Sequence, residues 1–217
     1  MNKFLTRFRI LLSLQNKKDG GLPSAYQRVS YIESSGTQYI NTGYKPNVNT
    51  KWELTVQFTQ LPPAAANSGY INGYSIGQNT RMAIGLNNDT NIAADISQFY
   101  FGVADKNLFI GHSDLNKHTF FIDMMSKTYG YDNVIATHNY PSYSSNANLY
   151  LFNRATRTIV GCYQKLYNSK IYENNTLVRD FIPCYRKADN VAGLYDRVND
   201  VFYTNAGTGE FIAGEDI

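Results

Sequence analysis

Apolar residues in this chain recur mostly at every second position, in short runs broken by Gly, Pro, Asn and Ser. The cleanest run is Thr50 to Thr59, where Trp52, Leu54, Val56 and Phe58 alternate strictly with Lys51, Glu53, Thr55 and Gln57. A period of two predicts a strand with one face on a core and the other in water. Two hairpins are predicted between Lys170 and Asn205. Ile171 and Tyr172 lead into Glu173-Asn174-Asn175-Thr176, where two Asn suit the positive-φ positions of a tight turn, and Leu177 to Ile182 run back. Pro183, lacking a backbone donor, is expected to end that strand. The second hairpin pairs Gly193-Leu194-Tyr195 with Val201-Phe202-Tyr203 around Val198-Asn199-Asp200, and Gly207-Thr208-Gly209 breaks the chain before Glu210-Phe211-Ile212.

Shorter strands are predicted at Val29 to Glu33, Gln38 to Thr42, Tyr70 to Gly77, Thr80 to Leu86, Ile92 to Tyr100, Phe101 to Val103 and Leu108 to Ile110. His118 to Met124 and Tyr129 to Tyr131 read as a hairpin, residues 138 to 148 as a polar loop, and Leu149 to Phe152 as strand again. About a dozen short strands with turns every 8–12 residues predict a β-sandwich. Only the first 16 residues depart from this pattern. Phe4, Leu5, Phe8, Leu11 and Leu12 fall at helical spacing and predict a short amphipathic helix. Asn16 to Gly21 reads as a flexible linker, dividing the chain into a tail over 1–21 and a domain over 22–217.

The phrases SKIYENNTLVRDFIPCYR, GLYDRVNDVFYTNAGTG and LPSAYQRVSYIESSGTQYINTGYKPN resemble a family of bacteriophage and prophage virion proteins that carry a concanavalin-A-like, laminin-G-like jelly-roll domain. The resemblance covers about residues 22 to 214. It implies an all-β antiparallel sandwich of jelly-roll type and a non-enzymatic structural role in a head or tail fibre or decoration. It also implies a place on the virion surface after synthesis in the bacterial cytoplasm. The partners it implies are other virion proteins, further copies of the chain in a multivalent array, and a host-surface glycan; the apolar stripe of residues 1–21, which needs a surface to cover, is expected to make the attachment to the virion. Two rivals stand beside this reading: a spacer that binds only virion proteins, and a glycosidase on the same fold.

Charge and composition narrow these options. Of the net +3, the tail contributes +4 from Lys3, Arg7, Arg9, Lys17 and Lys18 against Asp19, which leaves the domain at −1. A near-neutral domain lacks the basic stripe that nucleic acid requires. No apolar run reaches the ~18 residues of a membrane-spanning helix. Ile10-Leu11-Leu12 is too short for a signal peptide and no small-residue cleavage site follows, so the segment is expected to be retained. Cys162 and Cys184 form neither a disulfide framework nor a metal-binding spacing and are expected to be free thiols.

Catalytic patterns are weak. Gly73-Tyr74-Ser75-Ile76-Gly77 has the form of a nucleophile elbow, but the alternation around it is that of strands, where the elbow needs a strand-to-helix turn. His112, His118 and His138 show no metal-binding spacing, and the paired acids of sandwich glucanases are missing beside Asp123. No catalytic residue, metal or other cofactor is therefore assigned. Ca²⁺ is the one cation the loops invite, because Asn87, Asn88, Asp89, Asp95, Asp105 and Asp114 supply hard oxygens, although turn formation explains the same residues. Tyrosine, present 18 times, is the group with a binding use. Tyr70, Tyr74, Tyr140 and Tyr143 sit in or beside Gly-, Ser- and Asn-rich stretches, where exposed rings for stacking a sugar are expected, with core packing or an ordinary surface position as the alternative for each.

Overall fold

A computed structural model describes residues 17–18, 21–64, 69–76, 80–87, 96–102, 107–111, 114–139, 141, 143–155 and 161–217, and throughout these the protein is all-β. In chain order the strands are β1 (Lys17–Lys18), β2 (Leu22–Pro23), β3 (Tyr26–Arg28), β4 (Ile32–Ser35), β5 (Ile40–Asn41), β6 (Thr50–Phe58), β7 (Gly69–Ile76), β8 (Thr80–Asn87), β9 (Ile96–Gly102) and β10 (Asn107–Gly111). They continue as β11 (Lys117–Asp123), β12 (Thr128–Tyr131), β13 (Val134–Thr137), β14 (Tyr150–Leu151), β15 (Arg154–Ala155), β16 (Tyr163–Glu173), β17 (Thr176–Arg186), β18 (Val191–Asp196), β19 (Val201–Tyr203) and β20 (Ile212–Ala213).

Two sheets form a sandwich-like arrangement. The smaller runs β10-β9-β8-β7-β14-β5, and the larger runs β13-β12-β11-β6-β16-β17-β18-β19. Among the described residues every pairing is antiparallel except β15 on β7, where Arg154 lies opposite Gly73 in parallel. The hairpin β16–β17 opens at its far end and the N-terminal segment wedges into it, β4 pairing with β16 and β3 with β17. β20 then lies along β4, so the C-terminus closes over the start of the domain.

The alternation of β6 is realised in full: Trp52, Leu54, Val56 and Phe58 are buried. They join Phe120 and Ile122 of β11 and Met82, Ile84 and Leu86 of β8 in one core cluster between the sheets. Each such side chain contributes about 1.5–3 kcal/mol of burial, which locks the register of β6, since a one-residue slip would turn all four outward. Two polar pairs inside the core are matched. The Trp52 Nε1–H donates to Ser169 Oγ at 2.9 Å, and Asn72 of the small sheet exchanges reciprocal amide bonds of 2.9 and 2.8 Å with Gln164 of the large one.

Several sequence expectations need correction. Pro183 does not end its strand, because β17 runs on to Arg186. The Pro183 carbonyl accepts the Val29 N–H at 3.2 Å, and a strand residue directs its N and O to the same side. Its missing donor therefore falls where β16 gives way to β3 as partner. The three strands expected between 92 and 110 are two, β9 and β10. Part of the expected linker is paired, Lys17 with Pro23 and Lys18 with Leu22. The expected N-terminal helix, with Phe4, Leu5, Phe8, Leu11 and Leu12, lies outside the described residues. The Asn174-Asn175 turn is as expected, with φ of 50° and 61°. Cys162 and Cys184 are both free and buried. Burial raises both thiol pKa values, that of Cys184 to about 12.

Candidate functional site

The tyrosines expected to be exposed are not all so. Tyr70 is 2% exposed, its ring tilts against Tyr163 at 5.4 Å and its hydroxyl accepts from Gln60 Nε2 at 2.9 Å. Tyr143 is buried in the same core cluster. Neither ring offers a face to a ligand. Tyr74 lies on β7 opposite Met82, and Tyr140 is outside the described residues. The glycines that suggested loops here serve close packing of strands: Gly73 has φ +126°, and a Cβ on it would lie 2.2 Å from the Met82 carbonyl oxygen.

An aromatic surface exists elsewhere, on the outward face of the large sheet over β6, β11 and β16. Cross-strand register sets its rows, Gln57 between Lys117 and Lys165, and Lys51 between Asp123 and Tyr172. A β-bulge near Asn168 shifts the parity of β16, so that Lys165 and Tyr167 before it and Lys170 and Tyr172 after it share the outward side. Tyr31, just ahead of β4, joins them through an edge-on contact with Tyr167 at 5.6 Å. From Lys51 to Gln57 the stripe extends about 20 Å at ~3.4 Å per residue.

Each ring is fixed by a cation and most polar atoms by neighbours. Lys165 Nζ stands 4.5 Å from the Tyr31 centroid, Lys117 Nζ 4.8 Å from Tyr167 and Lys51 Nζ 5.4 Å from Tyr172. The Tyr167 hydroxyl donates to Gln57 Oε1 at 3.0 Å, and Lys51 pairs with Glu53 at 2.8 Å. Partial burial raises the Tyr167 and Tyr172 phenols above their ordinary value, with the Glu53 carboxylate adding to the effect at Tyr172. Both therefore remain neutral hydroxyls able to donate and accept. Partial burial works to lower the Lys165 ammonium, but its contact with Tyr31 and the charge of Glu33 outweigh this and raise it.

Other chemistry-bearing groups fall at structural positions. Ser75 lies inside β7 opposite Arg81, within a hairpin. Asp123 Oδ1 accepts the N–H groups of Met125 and Ser126 and so caps a turn. Buried Asp196 accepts the Asp180 and Val198 N–H groups at 3.0 and 3.1 Å, and buried Asp180 pairs with Arg197 at 2.6 Å. His118 bridges Asp132 (Nδ1, 2.6 Å) and Asp114 (Nε2, 3.0 Å), with the two carboxylates on opposite ring nitrogens. One cation could not be held by both. Of the calcium candidates, Asn87 ends β8 and Asp114 caps the Asn116 N–H; Asn88, Asp89, Asp95 and Asp105 lie outside the described residues. Among the described residues no group of three or more His, Cys, Asp or Glu is placed to hold a metal.

A cavity of about 210 Å³ lies beside β18, lined by Val191, Ala192, Thr204, Asn205, Glu210 and Phe211. It is smaller than the usual ~300–1,000 Å³ of ligand sites. The amide of Asn205 serves the loop itself, accepting from Tyr39 N and Gly207 N and donating to the Gly209 carbonyl. The outward stripe is thus the better candidate. No protein-family model matches the chain, and no curated protein matches it.

Proposed function

We propose that the chain is a non-enzymatic component of a bacteriophage virion, a head or tail fibre or decoration. In this reading its sandwich is a concanavalin-A-type jelly roll that touches host-surface glycan, and residues 1–21 attach it to the particle. The virion assignment rests on the three sequence phrases. The observation that supports glycan contact is the outward stripe, where neutral tyrosine rings stand among amide, hydroxyl and ammonium groups on a rigid sheet. Sugars offer apolar ring faces and hydroxyls, and such a surface answers both.

A glycan array probed with the full chain is expected to return ligands with dissociation constants below about 1 mM, and the Tyr31→Ala and Tyr167→Ala variants to lose them. Binding that survives both substitutions removes the stripe from the reading. Deletion of residues 1–21 is expected to abolish incorporation into particles, and normal incorporation of the truncated chain would overturn the attachment role. One observation favours the spacer reading. Each tyrosine of the stripe already has a lysine above its ring, so the face is satisfied without a ligand. In that case the array is blank while incorporation still requires the tail.

A further inference from the structure

The large sheet ends, among the described residues, at β13, a strand of sequence Val-Ile-Ala-Thr whose Val134 and Ile135 are 42% and 65% exposed. Exposed sheet edges are ordinarily blunted by Lys, Pro, a bulge or a covering segment, because their open N–H and C=O groups recruit other strands. β13 has no charge and no proline, and its ladder to β12 is regular. The orientation of its open groups follows from one bond: the His138 N–H donates to the Lys127 carbonyl at 3.1 Å, toward β12. Strand residues alternate sides, so Val134 and Ala136 also bond toward β12, while Ile135 and Thr137 direct their backbone N–H and C=O groups to the open edge.

We infer that β13 pairs antiparallel with β13 of a second copy of this chain about a two-fold axis at Ala136. Residues directly opposite in an antiparallel pair must face the same way, which restricts the register. An axis at Ala136 sets Ile135 against Thr137 of the second copy, and each such pair exchanges two backbone bonds, making four in all. It sets Ala136 against its own mate in a non-hydrogen-bonded pair, the closest kind, where a methyl fits. Val134 falls beside His138 of the second copy. Burial, helped by the Lys127 charge, lowers the His138 pKa to about 4, so no charge is brought into the contact near neutral pH. On the outward side the apolar row Phe121-Gly130-Ile135 would end at the axis against the Thr137 side chain of the second copy, with Thr128 beyond it. A different protein strand would find the same open groups, but this neutral strand with its small central residue satisfies the symmetry requirement of an isologous pair. Four residues a side bury less than the ~1,200 Å² of a standard interface, so the pair forms at high concentration or in a dense array.

The test is sedimentation equilibrium of the full chain from ~10 μM to ~1 mM, a range suited to a weak contact. The wild-type mass is expected to rise toward the dimer. Ile135→Lys is expected to stay monomeric with an unchanged melting temperature, while Val201→Lys at the opposite end of the sheet dimerises like wild type. Register is read with Ala136→Cys, which should form an intermolecular disulfide on oxidation, since non-hydrogen-bonded mates lie ~4.5 Å apart at Cα. Val134→Cys, four residues out of register with its own mate, should not. A wild-type chain that is monomeric throughout overturns the inference and leaves the edge to another protein. Dimerisation abolished by Val201→Lys but not Ile135→Lys, or a cross-link through Val134→Cys but not Ala136→Cys, overturns it equally.

Discussion

Strands β6 and β16 lie side by side and present two faces of opposite character. Inward, Trp52, Leu54, Val56, Phe58, Leu166 and Ile171 are buried, and the polar residues among them, Ser169 and Gln164, have one fixed partner each. Outward, Tyr167, Tyr172, Lys51, Lys165 and Gln57 are partly exposed, and their partners are neighbours that water can replace. Aromatic rings occur on both faces, so aromatic content alone does not mark a binding surface. The inward groups cannot exchange partners without opening the core. The outward ones can, at a cost of about 1 kcal/mol or less per contact. The comparison assigns stability to the inward face and leaves the outward one able to exchange its partners.

The largest test is Trp52→Ala, expected to cost about 3–5 kcal/mol because it opens a cavity and orphans Ser169 Oγ. Calorimetry or denaturant unfolding checks it, and unchanged stability would abolish the distinction between the faces. Asn72→Ala is expected to cost about 1–3 kcal/mol, since it leaves the buried Gln164 amide and the Phe152 N–H, which donates to Asn72 Oδ1 at 2.6 Å, without a partner. The double variant Asn72→Leu, Gln164→Leu should be milder than the sum of the two single losses, as both halves of the amide pair go together.

How much of this was legible in the sequence depends on whether the two-residue period was unbroken. In β6 it was, and core residues, register and Trp52 burial follow from it directly. In β16 the bulge near Asn168 moves the outward set from odd to even positions, so Lys165, Tyr167, Lys170 and Tyr172 do not read as one row. That concealed the candidate surface, which one register shift in the segment YQKLYNSKIYE would have disclosed. Tyr70 and Tyr143 take the core alternative and not the exposed one for a different reason. Local Gly and Ser signal turns, whereas burial is decided by what a distant sheet places opposite, here Tyr163 against Tyr70. Pro183 likewise reads as a breaker because its lost donor matters only if a partner faces it.

A smaller effect separates two histidines. Partial burial works to lower His118, but its bonds to Asp132 and Asp114 outweigh this and raise its pKa above 6.5. A raised folded-state value means that this stabilisation, about 1 kcal/mol or less, is fully present below pH 6.5 and lost as pH rises through the folded pKa. His138 is the reverse. Its pKa is lowered to about 4, so its contribution is present above pH 6.5 and lost as pH falls from there toward 4. Melting temperature followed from pH 4 to 9 should decline on both sides, with His118→Gln flattening the alkaline side and His138→Gln the acid side. Exchange of those two outcomes would show that the assignments are inverted.

The smallest expected effect on stability comes from Tyr167→Ala, and it tests the outward face directly. The substitution removes the edge contact with Tyr31, the Lys117 ammonium above the ring and the hydroxyl's bond to Gln57. All three are partly solvated, so their loss should amount to less than about 1 kcal/mol, which in a domain of this size moves the melting temperature by ~2–4 °C at most. Tyr167→Phe keeps the ring and loses only the hydroxyl, and should be closer still to wild type in stability. If the stripe holds a glycan by stacking, the Phe variant retains most of the affinity and the Ala variant loses it. If hydrogen bonding dominates, both lose it. A Tyr167→Ala chain destabilised as much as Trp52→Ala would mean that the outward ring belongs to the architecture, and the division of labour between the two faces would fail.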